Sequence, residues 1–205
     1  MKRKPISETR GRPRAFDIHQ ALDCAVEVFW RKGYEGTSLS DLTKAMGINR
    51  PSLYAAFGDK QALFSKVIDR YTNGAADFTL QALQAPNARE VAERLLFGAA
   101  KEMCGGDHPA GCLLVQGALA AGNEAASVRR ELASRRDQAR ALLHQRLRRA
   151  KKEGDLPPHA DPAAMARYLM TVLNGMAVQG AGGASRNDLR RVAEIALKAW
   201  PGSEK

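Results

Sequence analysis

Two apolar stripes of helical period lie close together in the first third of the chain. Leu39, Leu42 and Met46 form one, and Leu53 and Phe57 form the other. Residues 47–52 separate them, with Gly47 placed to end the first helix and Asn49 to cap the second. Helices this short are not stable alone and must bury their apolar faces against something else. The preceding segment supplies the partner. Asp17 with Gln20 forms a capping box, Leu22, Val26 and Phe29 share one face, and Gly33 ends the helix. Ser38 with Asp41 opens the second helix, and Ile48 with Leu53 forms a hydrophobic staple around the third. The expected result is a three-helix core of Leu22, Val26, Phe29, Leu39, Leu42, Met46, Leu53 and Phe57.

The rest of the chain also reads as helix, with no β-like alternation of useful length, so the fold class is all-α. Asp59 caps a long fourth helix carrying Leu63, Val67, Ile68 and Tyr71, which Asn73-Gly74 is placed to bend. Beyond Pro86, helices are expected at about 87–104, 110–121, 124–153, 161–179 and 186–199, separated by Gly and Pro. The organisation is a basic flexible arm at 1–14, a helix-turn-helix domain at 15–64 and a larger helical domain at 65–205. Nothing resembles a signal peptide or a membrane span. The three scattered cysteines, Cys24, Cys104 and Cys112, fit neither a disulfide framework nor a metal site, and a cytoplasmic location is expected.

Charge points to the partner. The chain carries a formal +10, and residues 1–14 hold six basic residues and one acid. Such a surplus favours a polyanion. The third and fourth helices each begin with a cation, Arg50 and Lys60, although a helix N-terminus prefers anions. If a phosphate or a base edge occupies that end, the inversion makes sense. With Leu53 and Phe57 facing inward, Arg50, Pro51, Tyr54 and Ala55 fall on the outer face. Short tandem helices of this kind place the second in the DNA major groove. Arg50 then reaches a guanine edge. Tyr54, Lys60, Thr37 and Ser38 face phosphates, and Arg12 and Arg14 reach a minor groove.

Residues Ala21–Phe64 resemble the N-terminal domain of the TetR family of bacterial transcriptional regulators. The resemblance is carried by A-x-x-x-F at Ala25–Phe29, Gly33-Tyr34, T-S-x-x-D-L at Thr37–Leu42 and A-M-G-I at Ala45–Ile48. It continues through S-L-Y-x-x-F at Ser52–Phe57 and D-K-x-x-L at Asp59–Leu63. It implies an all-helical regulator, a dimer on a palindromic DNA operator, controlled by a small-molecule effector. By position, Thr37, Arg50, Ser52, Tyr54 and Lys60 match the family's DNA-contacting places, and the cap Asn49 belongs to the same surface. Pro51 departs from the small residue often found there, and Ala56 from the frequent His. The family plan also implies a homodimer through the last two helices, near 161–179 and 186–199. Their stripes are Leu169, Val172, Leu173 and Met176, and Leu189, Val192, Ile195, Ala196 and Leu197. These stripes would equally close the core of a single chain.

An effector pocket among the middle helices is expected to draw on Phe78, Phe97, Met103, Cys112, Gln116, Met170 and Asn174. Cys112 stands at a helix start near His108, a setting that lowers a thiol pKa. A redox or electrophile response, with a bridge to Cys104 across Gly105-Gly106, is one reading, and an inert buried thiol is the other. The segment 124–153, with ten basic residues and four acids, reads as a solvated helix face or a second nucleic-acid surface. Two other classes compete. One is a nonspecific architectural DNA-binding protein. The other is an enzyme using Cys112, for which no orienting third group, oxyanion element, phosphate loop or metal cluster is evident. No cofactor is expected.

Overall fold

A computed structural model describes residues 16–74, 76–119 and 125–201, with ten α-helices and no strand among them. The helices are α1 (Ile18–Lys32), α2 (Leu39–Met46), α3 (Arg50–Phe57), α4 (Lys60–Thr72), α5 (Phe78–Ala82), α6 (Ala88–Glu102), α7 (Leu113–Leu119), α8 (Ala126–Lys152), α9 (Pro162–Ala181) and α10 (Arg186–Lys198).

Local chemistry sets the ends of the first four helices. Asp17 caps α1 one-sidedly, accepting from the His19 and Gln20 N–H groups. Ser38 and Asp41 form a reciprocal capping box on α2. Gly47 ends α2 at φ 66°, a left-handed conformation that lets the chain turn into α3 within two residues. Asn49 and Asp59 cap α3 and α4 through the N–H groups of Ser52 and Ala62. The Asp41 carboxylate also accepts from Lys32 Nζ at 2.6 Å, tying α1 to α2. The hydrogen bonds from Lys32, then those from Ser38, hold the Asp41 carboxyl well below the usual carboxylate range.

The three-helix core forms, with its centre of gravity shifted. Phe29, Leu42, Met46, Leu53 and Phe57 are buried, whereas Leu22, Val26 and Leu39 are only partly covered. The deepest stripe of α1 runs through Ala21 and Ala25, small residues that let α2 and α4 approach closely. Phe29 meets Phe64 edge-on at 4.9 Å, which joins α4 to this core. The fourth helix is shorter than expected. It ends at Thr72 with Asn73 as its C-cap, and a separate short helix, α5, follows after Asp77.

A second core lies in the body, where α6 packs on α10 and α8 on α9 around Leu95, Leu96, Leu143, Leu147, Leu169 and Leu189. The 27-residue α8 serves both cores: Val128 and Leu132 join the head cluster, and Leu143, Leu147 and Ala150 join the body. Polar bonds at one-turn intervals run between α4 and α8. Ser127 donates to Gln61, Ser65 donates to Glu131, and Arg135 donates to Asp69. Several arginines of α8 are therefore structural rather than a uniform solvated face. Arg146 is buried and donates to the carbonyls of Leu83, Ala85 and Pro86, closing the loop after α5. Where α9 crosses the end of α6, a Cβ on Gly180 would lie 2.1 Å from the Met103 carbonyl oxygen, so only glycine fits there.

Candidate DNA interface and effector cavity

The turn at Gly47 presents α3 with Leu53 and Phe57 inward and Arg50, Pro51, Tyr54 and Ala55 exposed. Arg50 occupies the first position of α3 and has no ion pair among the described residues. Tyr54, one turn on, is 49% exposed. Lys60 begins α4 with its amine 4.5 Å from the centre of the Tyr34 ring. Partial burial pushes the Lys60 pKa down, and the nearby Glu35 charge pushes it up. Tyr34 thus fixes the direction of Lys60, a role that sequence reading did not assign to it. Arg12 and Arg14 lie outside the described residues.

Three residues expected at the DNA face have side chains already hydrogen-bonded within the protein. Thr37 is 1% exposed, and its hydroxyl donates to the Gly33 carbonyl at 2.6 Å. It secures the α1–α2 turn and does not present a hydroxyl to solvent. Ser38 is exposed, but its hydroxyl donates to Asp41 and accepts from the Asp41 N–H. The Asn49 side-chain oxygen Oδ1 accepts from the Ser52 N–H at 2.9 Å, an N-cap bond. Thr37→Val should therefore lower the stability of the head by about 1 kcal/mol and leave operator sequence preference unchanged. Thermal unfolding and a competition binding assay check the two parts. A changed base preference would return Thr37 to the DNA surface.

A cavity of about 80 Å³ lies where head meets body. Trp30 of α1 and Tyr71 of α4 form its head-side wall, with Phe78, Met103, Cys112, Met170, Leu173, Asn174 and Arg136 on the body side. Five of the seven expected pocket residues line it. Phe97 does not: it sits at the surface of α6 beside Phe78, Gln81 and Arg94, on a separate shallow groove. Gln116 also stands outside, with its side-chain oxygen buried and unpartnered close to Gly111. Trp30, Tyr71, Leu173 and Arg136 also line it and were not among the expected residues. For Trp30 a signal existed, since it falls off the Ala21–Ala25–Phe29 stripe and so has to be buried elsewhere.

His108 does not turn toward Cys112. Its ring stacks on Trp30 at 5.1 Å, with Nε2 3.4 Å from a Glu102 carboxylate oxygen and Nδ1 3.0 Å from the Pro109 carbonyl. The group beside Cys112 is Tyr71, which lines the same cavity and interacts electrostatically with the thiol. Burial, then the Cys112 charge, raise the Tyr71 pKa well above its ordinary value. Cys104 and Cys112 are both free thiols. Cys104 donates to the Ala100 carbonyl at 3.2 Å, and burial pushes its pKa up. This argues against Cys104 as the reactive partner of a bridge.

The last two helices bury most of their expected stripes in the chain's own core, namely Leu169, Leu173, Met176, Leu189, Ala196 and Leu197. Val192 and Ile195 remain exposed, joined by Tyr168 and Val178 of α9. The apolar face available to a partner is therefore this set, not the whole stripes.

A helix-turn-helix head with an outward basic face, joined to a helical body through an apolar cavity, defines an effector-controlled DNA-binding regulator. Residues 21–67 match the family described as bacterial regulatory proteins, tetR family, and residues 94–195 match the tetracyclin repressor-like C-terminal domain. The chain is 35% identical to the HTH-type transcriptional repressor ComR of Escherichia coli K12, over 96% of this chain and 94% of ComR. It is 38% identical to the repressor BdcR of the same strain over 56% of this chain and 58% of BdcR. A solved structure of a cysteine mutant of the TetR family regulator CifR, with a 26-base-pair double-stranded operator, superposes with TM-score 0.88 at 41% identity. That match covers 93% of this chain and all of CifR. The chain belongs to the TetR family of DNA-binding transcriptional regulators, whose members act as dimers under the control of small-molecule effectors. Among the described residues, no helix is long and apolar enough to cross a membrane.

Proposed function

We propose that this protein is an effector-released repressor that binds an inverted-repeat operator as a homodimer. The observation that carries the reading is the outer end of α3. Arg50 stands there without an ion pair among the described residues, beside exposed Tyr54 and the cation Lys60. Arg50 reads a base edge, while Ser52, Tyr54, Lys60 and the first turn of α2 approach the phosphate backbone. Ser38 and Asn49 support that approach by capping. Dimerisation through Tyr168, Val178, Val192 and Ile195 sets the two α3 helices at the spacing of two half-sites. The repressor names of ComR and BdcR, and the operator in the CifR complex, support this direction of control. The test is selection of bound sequences from a random duplex library at several salt concentrations. An inverted repeat is the expected result. Strongly salt-dependent binding with no shared sequence would instead make the protein an architectural DNA coat.

The cavity takes the effector. Cys112 gives it a second mode of response, since it lines the cavity beside Tyr71. Alkylation there adds bulk against the Trp30 and Tyr71 wall and displaces the head. The cysteine-substituted form of the operator-bound CifR supports attention to thiols in this fold. N-ethylmaleimide should release operator from the parent protein and fail to do so from Cys112→Ser. Equal release from the variant would end the thiol reading.

A further inference from the structure

We propose that the effector is a small amphiphilic anion, with its apolar body in the cavity and its oxyanion head in the groove between α8 and α9. The inference rests on the cavity being the effector site. Cavity and groove adjoin, because Arg136, Met170 and Asn174 line both. The groove adds about 220 Å³ to the cavity's 80 Å³. Drug-sized pockets span roughly 300–1,000 Å³, so the combined space suits a compact molecule.

The two compartments differ in chemistry. Inside, the walls are mostly apolar. Outside, the groove gathers Arg136, Arg140 and Arg167 around one carboxylate, Asp137. Arg140 uses that carboxylate at 3.2 Å. Arg167 is exposed and has no ion pair among the described residues. Arg136 donates through one terminal nitrogen to the Leu114 carbonyl, which holds the guanidinium at the boundary that the two compartments share. Its remaining N–H groups have no carboxylate partner among the described residues. A guanidinium fork of this kind matches a carboxylate or phosphate in two-bond geometry. The other acid on the cavity wall, Glu102, pairs with Lys101 at 2.9 Å and with His108. His108 stacks on Trp30, so this acid belongs to the head end of the cavity. The arrangement orients the ligand, with its anionic head at the arginines and its apolar tail toward Trp30.

Calorimetric titration of the full-length protein with hexanoate and with its neutral isostere hexanamide tests this. Hexanoate should bind about tenfold more tightly, with a preference that shrinks as salt is added. Arg167→Gln should erase the preference while leaving hexanamide affinity unchanged. Arg167 has no structural partner to lose, which makes it the deciding variant. Arg136→Gln should act similarly but also frees Leu114. Met170→Trp, which adds bulk where the two compartments adjoin, should block both compounds. If hexanamide binds as well as hexanoate, and Met170→Trp blocks both, the anion assignment is overturned and the effector cavity stands. Hexanoate binding that survives Met170→Trp also overturns the assignment. Failure of both compounds to bind at millimolar concentration removes the assignment together with the cavity reading beneath it.

Discussion

Ile195→Asp should leave a folded monomer that no longer holds the operator at concentrations where the parent saturates it. Ile195 is 67% exposed, the most solvent-accessible large apolar residue of the chain's described part, and Tyr168, Val178 and Val192 stand with it on the same two helices. An exposed position contributes little to the stability of a single chain, and substitutions there usually change it by less than about 0.5 kcal/mol. A carboxylate buried at a dimer interface without a partner is far more costly. The effect should therefore fall on assembly. Two linked heads exceed one by about 10²–10⁴ in affinity when half-site spacing suits them, and a monomer forfeits that factor. Sedimentation velocity and an electrophoretic shift assay read the two consequences. A variant that stays dimeric would move the interface off α9 and α10.

The second large effect concerns the DNA face. Arg50→Ala should cost roughly 1–3 kcal/mol and relax preference at one base position. Lys60→Ala should weaken all sequences alike and reduce the salt slope by about 1. Tyr54→Phe should act like Lys60→Ala with a smaller loss, because it removes one hydroxyl and keeps the ring. Affinity profiles over a set of single-base operator variants separate the base-reading residue from the phosphate contacts. If all three variants bind as the parent does, the outer face of α3 is not the DNA surface.

The legible parts of this protein are those governed by neighbours in the chain. Caps at Ser38, Asn49 and Asp59, the turn at Gly47, and the buried stripe from Leu63 to Tyr71 follow from spacing alone. α5 was invisible, since five residues show too little of a helical period. What spacing does not carry is direction. Thr37 has the side chain for a phosphate contact, but its hydroxyl turns back to Gly33. On α9 and α10 the apolar residues cover two faces each, and only packing against α6 and α8 separates the buried one from the free one. Arg146 reads as one more cation in a basic run, yet it fastens a loop some sixty residues earlier in the chain. The cavity was legible in five of its body-side residues and not in its head-side wall, because Trp30 and Tyr71 reach it through tertiary contacts alone.

That shared wall has a thermodynamic consequence. Trp30 and Tyr71 are part of the head, so a displacement of the head that loosens DNA also reshapes the space the effector occupies. Coupling between two binding events is reciprocal: whatever factor the effector takes from operator affinity, the operator must take from effector affinity. The DNA-bound dimer is then the poorer sensor. In a cell, the free pool would take up effector first, and the occupied operator would be cleared mainly by depletion of the molecules available to rebind it.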